Sequence, residues 1–86
     1  MNAAVFDTYV PKKEGGLMHF DILVPPDTPF EKVAAFGKEY LAAKGQQGQP
    51  LTPQECQFCH IEHATPDMAA AFAAKGYFIV EMQGCK

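Results

Sequence analysis

The sequence predicts an α+β fold, a two-layer α/β sandwich in which the elements run strand, strand, helix, strand, helix, strand. A four-stranded mixed sheet would carry both helices on one face. Three observations predict it. Two runs rich in β-branched and aromatic residues, Ala4 to Val10 and Leu17 to Val24, flank the turn-forming stretch Lys12-Lys13-Glu14-Gly15-Gly16. Two later stretches open on Thr-Pro, at Thr28-Pro29 and Thr65-Pro66, and each ends on Gly after Lys, at Lys44-Gly45 and Lys75-Gly76. Directly after the second of these, Tyr77 to Met82 is a strongly strand-like run.

Taken in order, the first two runs form a β-hairpin. With Val10 opposite Met18, Thr8 meets Phe20 and Phe6 meets Ile22, so one face is largely apolar. Val5, Asp7, Tyr9, His19, Asp21 and Leu23 share the other face. A register two residues away keeps both faces but sets Asp7 against His19. The first helix is expected from Thr28 as N-cap, with Pro29 at its first position and Glu31 closing a capping box, to about Lys44 and the left-handed cap Gly45. Phe30, Val33, Ala34, Gly37, Tyr40 and Leu41 form its apolar stripe. Gln46-Gln47-Gly48-Gln49-Pro50 has no periodicity and reads as a flexible connection. The second helix, Thr65 to Lys75, presents Met68, Ala69, Phe72 and Ala73. Between the helices, Thr52-Pro53-Gln54-Glu55 could open a short helix, but a strand from Gln54 to His63 is what a compact fold needs between two crossovers.

The 86 residues make one domain, 1–86, able to bury roughly 60% of the unfolded surface. A ligand site would therefore be a surface groove or a dimer interface. Seven scattered basic residues against ten acidic ones, for a net charge of -3, argue against a nucleic-acid binder, and nucleic acid is not an expected partner. No apolar run approaches the roughly 18 residues of a membrane span, and the N-terminal stretch lacks the charge and apolar core of an export signal. The expected location is cytoplasmic. There, an odd count of three cysteines points to free thiols or a metal rather than a disulfide framework.

Three segments, Val5-Phe6-Asp7-Thr8-Tyr9-Val10, Met18-His19-Phe20-Asp21 and Glu55-Cys56-Gln57-Phe58-Cys59-His60, resemble those of a family of short bacterial proteins known only as a domain of unknown function. The resemblance spans nearly the whole chain. It implies a two-helix, four-stranded α/β fold, and it carries neither an activity nor catalytic residues.

Chemistry concentrates in Cys56-Gln57-Phe58-Cys59-His60 and the nearby His63. As C-x-x-C-H it is the attachment signature of a c-type haem, a group added outside the cytoplasm and opposed here by the small, strand-rich fold. As a zinc site it would use Cys56, Cys59, His60 and His63, with Cys85 as a further candidate. As a redox pair it would need a lowered thiol pKa, which Glu55 beside Cys56 opposes. As a strand, it sets Cys56 and Cys59 on opposite faces, with Cys59 and Ile61 inward and His60 and Glu62 outward. The second constellation is Asp7, His19 and Asp21, with Tyr9, on the polar face of the hairpin. Facing carboxylates repel unless a proton, His19 or a cation lies between them, and such a set could serve as acid and base groups.

The expected function is a non-enzymatic cytoplasmic binding or assembly module. With both helices on one face, Val5, Tyr9 and Leu23 would lie on the uncovered face and favour a homodimer. The alternatives are a small zinc-binding or thiol-redox protein built on the cysteine cluster, and an enzyme using Asp7, His19 and Asp21.

Overall fold

The computed structural model describes residues 1–85. Its elements are β1 (Asn2–Pro11), β2 (Leu17–Val24), α1 (Phe30–Ala43), β3 (Cys56–His63), α2 (Pro66–Lys75) and β4 (Phe78–Gln83). The order along the chain is the expected one, and the hairpin adopts the first register, with Val10 opposite Met18, Thr8 opposite Phe20, and Asp7 opposite Asp21. Gly15 and Gly16, at φ 98° and 92°, supply the left-handed backbone that closes the turn.

The four strands lie in the order β3-β1-β2-β4, and every neighbouring pair is antiparallel. The sheet is thus antiparallel rather than mixed. After β2, the chain crosses through α1 and returns in the direction of β2, but it lands beside β1, which runs the opposite way. The second crossover then carries it across the whole sheet to the far edge.

That second crossing also corrects the expected placement of the helices. Val33, Tyr40 and Leu41 of α1 cluster with Ala4, Val10, Met18, Phe20, Ile22 and Val24, the even-numbered face of the hairpin. Met68 and Phe72 of α2 cluster instead with Ala3, Val5 and Leu23, the odd-numbered face, together with Phe78 and Val80 of β4. The helices therefore pack on opposite faces, because α2 has to pass from one sheet edge to the other and does so over the face that α1 leaves uncovered. Val5 and Leu23, expected on an open surface, are only 2% and 1% exposed, whereas Tyr9 is 44% exposed.

Local signals were obeyed unevenly. Thr65 caps α2, its hydroxyl accepting from the Met68 N–H at 3.2 Å, and Gly76 ends that helix at φ 92°. Thr28 does not cap α1. Its hydroxyl donates to the Pro25 carbonyl at 2.7 Å, and Pro29 takes the N-cap position. The connection after α1 is docked rather than loose: the Gln46 side chain accepts from the Lys13 N–H and donates to Glu14, each at 2.8 Å. Leu51 is buried there because Gly37 leaves room for it. A Cβ at Gly37 would lie 2.3 Å from Leu51 Cδ2.

Candidate functional site

The odd-numbered sheet face is divided along the strands. Its rows through Ala3, Val5 and Leu23 lie beneath α2. One step along the ladder comes a polar row: Gln57 on β3 opposes Asp7 on β1, Asp7 opposes Asp21 on β2, and Asp21 opposes Val80 on β4. In the next row, Tyr9 opposes His19, and His19 opposes Gln83. Strand alternation alone brings these side chains to one surface, because residues two apart point the same way.

Asp7, His19 and Asp21 converge so that one ligand atom from each lies within 4.8 Å of the other two. Among the described residues, no other three His, Cys, Asp or Glu side chains converge in this way. The His19 Nε2–H donates to Asp7 Oδ1 at 2.7 Å. On its other side, the imidazole stacks on the Tyr9 ring, with centroids 4.0 Å apart and planes inclined by 11°. The ring is therefore fixed from two directions before any ligand arrives.

Directly facing carboxylates shape the electrostatics. Burial, reinforced by the hydrogen bond and negative charge of Asp7, pushes the Asp21 carboxyl from 3.8 up to about 6, while His19 and His60 pull it the other way. A raised carboxyl binds its proton more tightly in the folded chain than in the unfolded one. Its contribution to stability is therefore full below about pH 3.8 and is lost as pH rises through about 6. In the ionised state, Asp7 and Asp21 repel at close range, and a proton or a cation relieves this.

The cysteine segment is arranged differently. Cys56 is buried on the α1 face, where the Thr8 hydroxyl contacts its sulfur at 3.4 Å. Burial, with the Asp7 charge adding to it, pushes its thiol pKa up, although the Thr8 hydroxyl opposes the shift. At the shift in register between Val5 and Phe6, Phe58 opposes Phe6 and His60 opposes Val5, leaving Cys59 as the extra residue of a β-bulge. Cys59 and Ile61 are exposed rather than inward, Cys59 as the bulge residue and Ile61 on the outermost strand. His60 pairs with Glu62 on its own strand at 2.9 Å, and His63 stands opposite Asn2 at the strand end. Cys56, Cys59, His60 and His63 are not gathered around a common point, and Cys85 is buried near the His19 carbonyl, 3.5 Å away.

The hairpin set was legible because its geometry needs only one register. The sequence reading did not find Gln57, Gln83 or the approach of His60 to Asp21, since these depend on which strands flank the hairpin.

Residues 1–82 match the model of a family described as a domain of unknown function, DUF2024. The chain belongs to the DUF2024 family. Its fold is that of a solved relative, protein NE1680 from Nitrosomonas europaea, known from an NMR structure. The two chains are 38% identical, each is covered over 100% of its length, and the TM-score is 0.84. No curated protein matches the chain. DUF2024 membership thus fixes the architecture and brings no activity with it, so the functional reading rests on the chemistry of the site.

Proposed function

We propose that this DUF2024 domain is a binding module of the cytoplasm, without turnover of its own, that takes up a divalent transition cation at Asp7, His19 and Asp21. The observation that carries the reading is the convergence of two carboxylates and an imidazole within 4.8 Å. The fold forces Asp7 to stand directly opposite Asp21, an arrangement that works against folding unless something positive lies between them. Two oxygens and one nitrogen suit zinc or manganese, and they are too few for the six to eight oxygens that calcium prefers. The three residues are half-buried on the sheet face and line none of four surface cavities of 290–470 Å³. This favours a hydrated ion over an organic ligand, which would need to be largely enclosed. Three unpaired cysteines, one of them exposed, support a reducing compartment.

The test is isothermal calorimetry and thermal unfolding with zinc and manganese, comparing the native chain with Asp21→Asn, His19→Ala and Cys59→Ser. One ion per chain is expected, raising the melting temperature by on the order of 10 °C at a hundredfold excess over the dissociation constant. Asp21→Asn and His19→Ala should lose that rise, and Cys59→Ser should keep it. Loss in Cys59→Ser alone would move the ion to the cysteine segment and refute the proposal.

A further inference from the structure

The structure assigns a second role to β3: its outer edge is the interface for a second copy of this chain, paired antiparallel about a twofold axis through Ile61. As an outermost strand, β3 has no strand on its outer side among the described residues. Phe58 and Ile61 are 56% and 47% exposed there. The edge contains no Lys, Arg or Pro, the residues that usually block such pairing. The bulge at Cys59 interrupts it on one side only, leaving residues 60–63 in an unbroken ladder. At the opposite edge, α1 reaches over β4, with Tyr40 and Lys44 both on Glu81.

Backbone direction selects the register. The Ala64 N–H donates to the Met1 carbonyl at 2.9 Å. By the alternation of an antiparallel ladder, Glu62 and His60 then turn their backbone groups toward β1, while Ile61 and His63 turn theirs outward. A symmetric partner can therefore meet Ile61 with its own Ile61 in a hydrogen-bonded pair. In that register, each His60 faces the partner's Glu62 and each Glu62 the partner's His60, so the pair already formed within one strand at 2.9 Å becomes two cross-strand pairs. Centring the axis on Glu62 would set carboxylate against carboxylate, and centring it on His60 would set imidazole against imidazole, so charge favours Ile61. The Ile61 side chains meet on the face that also carries Phe58 and its edge-to-face contact with Phe6, centroids 5.7 Å apart. The two sheets then join into one. This interface shares no residue with Asp7, His19 and Asp21, so it stands or falls independently of the cation proposal.

The experiment is analytical ultracentrifugation of the full chain with EDTA present, at micromolar to millimolar concentrations. A reversible dimer is expected. Ile61→Lys, at a half-exposed position where folding should survive as judged by circular dichroism, should be monomeric throughout. His60→Glu should weaken the dimer about tenfold by setting like charges across the seam. The exchanged double variant His60→Glu, Glu62→His restores opposite charges and should recover it. A native chain that stays monomeric at millimolar concentration, or a dimer indifferent to Ile61→Lys, would overturn the assignment.

Discussion

Leu23→Ala should cost about 2–5 kcal/mol, and Leu23→Asp should leave the chain unfolded. Leu23 lies on the hairpin face that also carries Asp7 and His19, where a one-sided sandwich would expose it, yet α2 buries it to 1%. Truncating it removes contacts with Met68 and Phe72 and leaves a cavity that a sheet held by ladders on both sides cannot close. Placing a carboxylate there buries a charge among the apolar side chains of Ala3, Val5, Met68 and Phe72. A domain of this size has on the order of 5–10 kcal/mol of stability in all, so the first change is a large fraction of the total and the second exceeds what remains. Urea unfolding of the two variants decides the matter: a Leu23→Ala change below about 0.5 kcal/mol would mean that the face is open and the two-sided packing wrong.

Phe20→Ala should be at least as severe, about 3–5 kcal/mol. Phe20 is fully buried on the opposite face, with its ring 4.6 Å from that of Tyr40 on α1. Its loss removes the largest buried side chain of the hairpin and the anchor that holds α1 over the sheet. Tyr40 also donates to Glu81 on β4 at 2.5 Å, so the variant should loosen β4 as well. Amide exchange checks this, with protection falling first in α1 and β4. Uniform loss across all four strands would mean that α1 is not held independently of the sheet.

These two positions show where the sequence was readable. Phe20 and Leu23 were assigned to opposite faces from alternation alone, and the hairpin register confirmed it, because a two-residue period with one apolar face admits few alternatives. The path of α2 was not readable. Its alanines and its Met68 and Phe72 stripe announce close packing on some surface, but which face of the sheet it covers depends on the landing edges of β3 and β4, and local pattern does not encode those. The same gap explains β3. Strand assignment was correct, yet one bulge at Cys59 shifts the alternation after it, so Ile61 returns to the face of Cys56 and Phe58, where its place on the sheet's outermost strand leaves it exposed. In the connection after α1, the polar Gln46 gave no sign of burial because its partners, Lys13 and Glu14, lie in a distant turn. Asp7, His19 and Asp21 were placed on one face correctly, since that needs only the hairpin. Their electrostatic strain was foreseen from two carboxylates placed opposite each other.

The most direct measurement is a carbon-detected NMR titration of the aspartate carboxyl groups between pH 3 and 8, with and without zinc. The account predicts that Asp21 titrates near 6 in the ion-free chain, and that zinc drives its proton off, moving the midpoint well below that value. An Asp21 that titrates at an ordinary aspartate pKa near 3.9, and is unmoved by zinc, would contradict both the strained pair and the cation site built on it.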